Sequence, residues 1–241
     1  PCEPASETRF RQIARLIQSE ARYVPTGGNQ TRLLADTDAI LRAFTADIHT
    51  AQHCCLLAFY IVEGSGRVEA VLEALMQAAG RGVRCQLLAD ALGSSSFWRS
   101  PWPQRLRDAG VEVTEALPVG VLKSLFLVVD YRIAYTGSYN LVDPRLFKQD
   151  AGVGEWVDMM MRCHGTVVLE MAAVFYADVA VEADEHLAEV RQEIEKLDDK
   201  IPELLALKRQ SGTAVAQVIP SAPDQSDPVI YATIVCAIHA A

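Results

Sequence analysis

The stretch that decides the fold is Asp130-Tyr-Arg-Ile-Ala-Tyr-Thr-Gly-Ser-Tyr-Asn140, DYRIAYTGSYN in one-letter code. Apolar residues on both sides of Asp130 and Tyr131 predict two short strands, at 127–129 and 132–135, separated by these two residues. The second strand leads into Gly137, and a glycine lets the backbone turn tightly. The stretch therefore predicts a strand pair that ends in a tight turn.

Outside this stretch, uninterrupted apolar runs alternate with amphipathic segments. The run at 54–62 (CCLLAFYIV) is typical of a strand covered on both faces. Earlier in the chain, Asp36 is the predicted N-cap of the helix at 37–51. Strand, helix, strand alternation implies right-handed crossovers. The sequence therefore predicts an α/β fold with a mostly parallel mixed sheet and helices on both faces. The predicted helices are 37–51, 67–81, 104–109 and 166–180, and the predicted strands are 30–35, 54–62, 83–89, 111–116, 127–129, 132–135, 157–163 and 213–219.

The residues from Asp130 to Asn140 resemble the second half of the phospholipase D signature, H-x-K-x4-D-x6-G-S-x-N, at every fixed position. The flanking sequence resembles the first catalytic half of bacterial cardiolipin synthases, from about residue 28 to 165 and again from about 213. The segments that carry this resemblance are 29–38, Phe59-Tyr60-Ile61, Arg99-Ser100-Pro101-Trp102 and 140–158 (NLVDPRLFKQDAGVGEWVD). The resemblance implies a phospholipase D-like fold.

The same resemblance implies a phosphatidyltransferase. In that family, a phosphatidyl group passes from one phosphatidylglycerol to the hydroxyl of another through a phosphohistidine. A second histidine protonates the leaving alcohol, so a second catalytic unit is required, in the same chain or by association. The reaction needs a nucleophile, a general acid and fixed donors for a charged transition state. No metal and no cofactor are expected, because histidine and lysine take the roles that a metal would otherwise fill.

The resemblance also assigns the candidate site residues, in two groups. The catalytic group is Asp130, Ser138, Asn140 and Asp158, and the substrate-binding group is Gly137, Arg145 and Lys148. By resemblance, Asp130 orients the motif and its loop, whereas Ser138 and Asn140 contact or support the phosphate. Asp158 occupies the place where related repeats have a carboxylate that hydrogen-bonds a catalytic histidine.

The chain departs from the signature at its first two fixed positions. Counting back from Asp130, the lysine position is occupied by Leu125 and the histidine position by Lys123, and H-x-K occurs nowhere in the chain. Two hypotheses remain open: a naturally inactivated homologue, or a short segment missing between about Lys123 and Leu127. The second is favoured, because residues 124–126 run into 127–129 with no turn residue between the two expected strands. The chain by itself is expected to be inactive.

A short internal similarity suggests two tandem units. Residues 46–51 (ADIHTA) and 236–241 (CAIHAA) are similar and lie 190 residues apart, and each closes a predicted helix that follows a strand. The prediction divides the chain into an irregular segment at 1–26, a first phospholipase D-like unit at 27–181, a charged helical connector at 182–211 and the start of a truncated second unit at 212–241. The first residues lack a methionine and a signal peptide, as expected of a cut end.

Composition restricts the partners. The 241 residues carry a formal net charge of −9, which offers no track for a polyanion and argues against nucleic acid. No run reaches the roughly 18 to 20 apolar residues that span a bilayer. Six cysteines without a CxxC pair predict reduced thiols and a cytosol-facing protein. By resemblance, the expected partners are phosphatidylglycerol and a membrane surface, and the expected location is the cytoplasmic side of a bacterial inner membrane.

Two alternatives stay open. One is another phospholipase D-type enzyme, such as a phosphatidylserine synthase. The other is a non-catalytic lipid-binding or assembly module, which the missing H-x-K would make natural. Trp98 and Trp102, near Arg99, are candidates for a lipid interface, because tryptophan suits a boundary that is half apolar and half wet.

Overall fold

The computed structural model of the protein describes residues 5–21, 23–116, 125–152, 154–182 and 212–220, with four isolated positions between 230 and 237. Its helices are α1 (Ala5–Ala21), α2 (Thr37–Thr50), α3 (Glu69–Gly80), α4 (Ser95–Arg99), α5 (Trp102–Asp108) and α6 (Val167–Glu182), with single 3₁₀ turns at Gly66–Val68 and Gln149–Ala151. Its strands are β1 (Thr26–Leu34), β2 (Cys54–Phe59), β3 (Arg84–Asp90), β4 (Glu112–Ala116), β5 (Phe126–Val129), β6 (Ile133–Gly137), β7 (Met160–His164) and β8 (Ala214–Ala216).

All eight described strands form one sheet in the order β4-β3-β2-β5-β6-β7-β1-β8. The predicted mixed α/β sheet is confirmed, but the expectation of mostly parallel pairing is wrong. Parallel pairs occur at β2–β3 and β3–β4, and the other five pairs are antiparallel. Parallel pairing needs a long crossover, which α3 provides for the first pair and α4 with α5 for the second. The turn between β5 and β6 is too short for a crossover, so these two strands pair antiparallel as a hairpin.

Strand β2 lies at the centre of the core, and all six of its residues are buried. Cys55, Leu57 and Phe59 face a cluster formed with α2, α3 and α5. The alternate residues face a second cluster, formed with α6 on the other side of the sheet. Burying a side chain as large as leucine contributes about 2 kcal/mol, so this strand stabilises the packing of helices on both faces.

Helix α2 forms as its sequence predicts. The side chain of Asp36 accepts a hydrogen bond from the backbone amide of Ala39 at 2.9 Å, which satisfies one of the free amides at the helix start. The predicted apolar face is buried and consists of Ile40, Leu41, Phe44 and Ile48.

The turn between β5 and β6 places two non-glycine residues in the left-handed region. Asp130 has φ 53° and Tyr131 has φ 55°, and the Arg132 amide donates to the Val129 carbonyl at 3.0 Å. This is the geometry of a type I′ turn, whose twist matches that of a hairpin. A tyrosine is unfavourable at such a φ, but the Tyr131 hydroxyl is held in the core, 2.9 Å from the Tyr176 hydroxyl.

The prediction of an irregular segment at 1–26 is wrong, because α1 occupies Ala5–Ala21. Ile13 and Ile17 lie one helical turn apart, and Ile17 is buried.

The described part of the predicted second unit extends the sheet of the first. Strand β8 pairs antiparallel with β1. The buried Asn29 joins them, because its amide nitrogen donates to the carbonyls of Thr26 at 2.7 Å and of Ala214 at 3.4 Å. Its oxygen accepts from the Val167 amide at the start of α6, at 2.9 Å. The predicted connector at 182–211 lies outside the described residues except for Glu182 at the end of α6, as does most of 221–241, so the boundaries of the predicted units remain a prediction.

Candidate active site

The candidate site lies at one edge of the sheet. Strands β2, β3 and β6 run in the same direction and therefore end at the same edge, called the carboxyl edge below. Ser138 and Asn140 directly follow β6 at this edge. Asp158 directly precedes β7, which begins at Met160, three residues later than predicted. Because β6 and β7 are antiparallel neighbours, these side chains come together.

A serine and a carboxylate are paired at this edge. The Ser138 hydroxyl donates to the Asp158 carboxylate at 2.7 Å and accepts from the Met159 amide at 3.2 Å. The Ser138 amide in turn donates to the Met159 carbonyl at 3.0 Å. Ser138 is exposed and Asp158 is half-buried. A hydroxyl and a carboxylate are thus presented together at the carboxyl edge.

Asn140 fixes the loop that follows Ser138. Its side-chain oxygen accepts from the Ile61 amide at 2.9 Å, and the Leu141 amide donates to the Ile61 carbonyl at 3.0 Å. Leu141 also bridges to Val62. Asn140 therefore ties this loop to the segment after β2, which agrees with the support role expected for it.

Gly137 lies where no side chain fits. A Cβ atom at this position would lie 2.9 Å from Cα and 2.8 Å from Sδ of Met160, and closer still to the Met159 carbonyl. Close approach of the β6 and β7 backbones therefore requires glycine here. The same approach brings Ser138 to Asp158.

Sequence reasoning missed a charged cluster beside this loop. Asp143 is almost fully buried, and its carboxylate accepts from Arg67 at Nε (3.0 Å), Nη2 (2.6 Å) and the backbone amide (2.9 Å). Arg67 also contacts Asp38 at 2.6 Å and Glu155 at 3.5 Å. No local pattern in the sequence signals this contact, because Arg67 and Asp143 lie 76 positions apart and the burial of Asp143 depends on the fold.

These contacts shift the acidity of both carboxyl groups. Hydrogen bonds from Arg67 lower the pKa of Asp143 to about 2, although its burial acts in the opposite direction. Arg67 also lowers the pKa of Asp38. Arg67 therefore joins the start of α2, the loop after β6 and the segment that leads to Asp158 at neutral pH.

The structure does not bring Asp130 to this group. Asp130 follows β5 at the opposite edge of the sheet, roughly 13 Å away along β6 at ~3.3 Å per residue. Its Oδ1 accepts from the amides of His53 at 2.7 Å and Cys54 at 2.9 Å, and its Oδ2 from the amide of Gln52 at 2.9 Å. Grouping Asp130 with the catalytic residues is corrected on this ground: it is a turn residue that caps the start of β2.

We expect Asp130→Ala to lower the free energy of unfolding by about 2 kcal/mol, because hydrogen bonds to a charged group contribute about 1.5 to 3 kcal/mol each and two of these amides are exposed. Urea unfolding measures the change. Asp130→Asn keeps one oxygen as an acceptor and should lose about half as much. Equal stability of the two variants would contradict a capping role.

The lysine position of the signature, occupied by Leu125, directly precedes β5. Phe126 pairs with Thr136, so Leu125 lies opposite Gly137, next to Ser138. Leu125 is partly buried and packs against the core. Lys123, together with residues 117–124 as a whole, lies outside the described residues. In the described part of the chain, the carboxyl edge therefore has an apolar side chain where the signature has lysine.

Comparison with known proteins identifies this architecture. A family model described as the PLD-like domain of cardiolipin synthase matches residues 44–153. Cardiolipin synthase A of Erwinia tasmaniensis is 40% identical over 225 residues, covering 89% of this chain. The chain belongs to the phospholipase D superfamily. The enzymes of the same name from Yersinia pseudotuberculosis and Serratia proteamaculans are each 39% identical over 225 residues. The chain spans only 44% of the length of these curated relatives.

Solved structures agree with the phospholipase D fold. The phospholipase D family member Nuc from Salmonella typhimurium has a TM-score of 0.52 and 13% identity, covering 62% of this chain and 93% of Nuc. NucT from Helicobacter pylori has a TM-score of 0.50 and 15% identity, covering 63% of this chain and 96% of NucT. At such identities the likeness shows the fold alone.

In this phospholipase D unit, the two expected headgroup-binding cations are exposed. Arg145 lies 3.8 Å from Asp38 and 3.5 Å from Glu155, so its charge is partly neutralised. The Lys148 ammonium lies 5.1 Å from the centre of the Phe147 ring. Both residues belong to the segment between β6 and β7 that also carries Asp158, and their binding role remains a prediction.

The two tryptophans named as candidates for a lipid interface, Trp98 and Trp102, are packing residues. Trp102 is 6% exposed, and its indole nitrogen donates to the Gly64 carbonyl. Trp98 is partly buried, and its indole nitrogen donates to the Asp90 carbonyl at 3.2 Å. The lipid-interface interpretation of Trp102 is therefore wrong, because its ring is enclosed by the core. No helix within the described ranges has the length and hydropathy of a membrane span.

Proposed function

We propose that the whole protein is a cardiolipin synthase-type phosphatidyltransferase acting on phosphatidylglycerol. A histidine nitrogen attacks the phosphorus of one phosphatidylglycerol, and glycerol leaves with a proton from a second histidine. The hydroxyl of another phosphatidylglycerol then attacks the phosphohistidine, which forms cardiolipin and frees the nucleophile. Neither histidine is found at its signature position in the 241 residues, so the reaction is assigned to the whole protein.

The observation that carries this proposal is the pairing of Ser138 with Asp158 beside the start of β5. A hydroxyl held 2.7 Å from a carboxylate, next to Leu125 at the signature's lysine position, is oriented before any ligand binds, and we infer that it positions the loop that would line a phosphate site. Identity of 39–40% to proteins named cardiolipin synthase A supports the same substrate class.

A second catalytic unit would complete the site. Two structurally equivalent strands that meet at a two-fold axis pair antiparallel, and β1 and β8 pair in this way. Each also precedes one of the two similar segments, 46–51 and 236–241. We infer that β8 begins a second unit related to the first by such an axis, so that the carboxyl edges of the two units share one cleft.

The phospholipid substrate implies work at a bilayer surface. By analogy with the relatives, we propose the cytoplasmic face of a bacterial inner membrane. Floating purified protein with phosphatidylglycerol vesicles in a density gradient tests this assignment, with phosphatidylcholine vesicles as the control.

The 241-residue chain alone should form no cardiolipin in mixed micelles of phosphatidylglycerol, whereas a full-length protein with an H-x-K segment should form cardiolipin and release glycerol. Losing the nucleophile of a covalent mechanism costs about 10⁴- to 10⁶-fold in rate. Mass spectrometry of both products measures the reaction. Cardiolipin formed by the chain alone would contradict the need for these histidines, and none from the full-length protein would contradict the proposed function.

A non-catalytic lipid-binding module is the second candidate, and Leu125 favours it. If intact mass and peptide mapping across residues 117–130 fit the sequence as written, the unit lacks its nucleophile. Vesicle binding without turnover would then support this candidate. A larger mass, with an H-x-K peptide in this region, would support the transferase.

A further inference from the structure

The segment at 212–220 is held by β1 and by the helices α1 and α6. Strand β8 pairs with β1, and the side-chain nitrogen of Gln217 donates to the carbonyls of Tyr23 at 2.7 Å and of Ala14, on α1, at 3.1 Å. The Val218 side chain packs against the cluster that contains α6. The part of this segment beyond β8 is thus attached through Gln217 and Val218.

One of these contacts involves a carboxyl group with incomplete hydrogen bonding. The Glu170 side chain, in the first turn of α6, accepts a hydrogen bond from the Val218 backbone amide. Its second oxygen, Oε2, is buried and has no hydrogen-bond partner within the described structure. Burial disfavours the charged form of a carboxyl group, and it raises the pKa of Glu170 to about 7.

The charged groups around Glu170 do not compensate for this burial. Residues 214–220 contain no ionisable side chain. The Tyr23 hydroxyl, from the connection between α1 and β1, has its pKa raised by burial and by the negative charges of Glu170 and Asp178. Arg11 and Arg15 of α1 are exposed, and neither contributes to the shift of Glu170. Among the described residues, Glu170 and Asp178 are therefore the carboxyl groups that act at this contact, both on α6, and no described cation acts on Glu170.

We propose that Glu170 is a proton-controlled contact that sets how firmly residues 212–220 are held against the first unit. The protonated carboxyl is neutral and fits its buried position. Loss of the proton leaves a charge with one oxygen unpaired, which detachment of the segment would return to water. Attachment is therefore strongest below about pH 4.5, weakens as the pH rises from there through 7 and changes little at higher pH, because the attached form binds the proton more tightly than the free form.

This inference goes beyond the proposed function and does not depend on it. If residues 212–220 begin the second unit, the same proton would control how the two units are held together. A phosphatidyltransferase would then lose the cleft between its two units as the pH rises, without any change in its catalytic residues.

Hydrogen–deuterium exchange of the 241-residue chain between pH 5.5 and 8.5 tests the proposal, with rates corrected by an unstructured peptide of the same sequence. We expect the opening equilibrium constant of the amides at 215–219 to rise roughly 30-fold over this range, from a carboxyl pKa of about 7 when the segment is attached and about 4.5 when it is free. In Glu170→Gln, which keeps the shape without the charge, the change should be less than about twofold.

Two control variants separate this effect from general weakening. Gln217→Ala removes the contacts to Tyr23 and Ala14, so it should raise exchange by the same factor at every pH and keep the pH dependence. Glu73→Gln changes an exposed glutamate on α3 and should behave as the wild type. Equal pH dependence in the wild type and Glu170→Gln would overturn the proposal, and so would a segment unprotected at every pH.

Discussion

Replacing Asp143 with alanine is expected to lower the free energy of unfolding by about 3 kcal/mol. The carboxylate is buried and accepts three hydrogen bonds from Arg67 and one from the Arg145 amide. Removing one member of a buried pair leaves the other charge uncompensated, which costs about 3 to 5 kcal/mol. The lower end applies, because Arg67 is 22% exposed and retains Asp38. Urea unfolding at pH 7 measures the loss.

Lowering the pH should reduce the difference in free energy of unfolding between the wild type and the variant Asp143→Asn. The folded pKa of Asp143, about 2, lies below the unfolded value of about 3.9. Its charge therefore stabilises the fold above about pH 4, and this contribution is lost as pH falls toward 2. The stability gap between the wild type and the variant should narrow by about 1 kcal/mol between pH 5 and pH 3. A gap that stays constant would contradict the ion pair.

The exposed Asp150 provides the control for both measurements. Asp150→Ala removes the same charge from the same segment, and an exposed carboxylate contributes within about 0.5 kcal/mol. A loss as large as that of Asp143→Ala would assign the effect to net charge instead of to the contact with Arg67.

Replacing Gly137 with alanine is expected to cost about 3 kcal/mol and to separate Ser138 from Asp158. The new methyl group would meet the backbone of β7, with Met160 Cα at 2.9 Å, and backbone cannot move aside as a flexible side chain can. Overpacking typically costs about 1 to 3 kcal/mol, and the upper end applies to a backbone clash. Urea unfolding gives the energy, and amide chemical shifts of Ser138 and Met159 report the separation.

Gly80→Ala is the matched control. Gly80 ends α3, and no atom lies within 4 Å of the Cβ that alanine would add. Alanine in a helix stabilises by about 0.5 to 1 kcal/mol over glycine, so this variant should be at least as stable as the wild type. Similar losses at Gly137 and Gly80 would contradict the close approach of β6 and β7.

Features with a local cause could be predicted from the sequence. The Asp36 cap and the apolar face of α2 follow from spacing within one helix, and the hairpin around Asp130 follows from adjacent residues. The predicted strand at 54–62 was correct for 54–59, where both faces are apolar and buried, but β2 ends at Phe59. Ser138 and Asn140 were found by resemblance to a spaced motif and Asp158 by resemblance to related repeats, and the structure brings all three to one edge.

Features that depend on pairing between distant segments could not be predicted. The number of parallel pairs depends on which strands become neighbours, and the sequence around β5 specifies only its hairpin. The contact between Arg67 and Asp143 joins residues 76 positions apart. Asp130 was misplaced because the signature gives its spacing along the chain but not the sheet edge at which it lies.

The capped turn at Asp130 has a consequence for how this sequence tolerates changes in length. Strand β5 is aligned from its far end, by the turn and by the three amides that Asp130 binds. Residues inserted or deleted before Phe126 therefore leave every pair between β5 and its neighbours unchanged. The catalytic insert of such a unit could be lost in one step while the domain continued to fold, so a stable fold is no sign that the chemistry has survived.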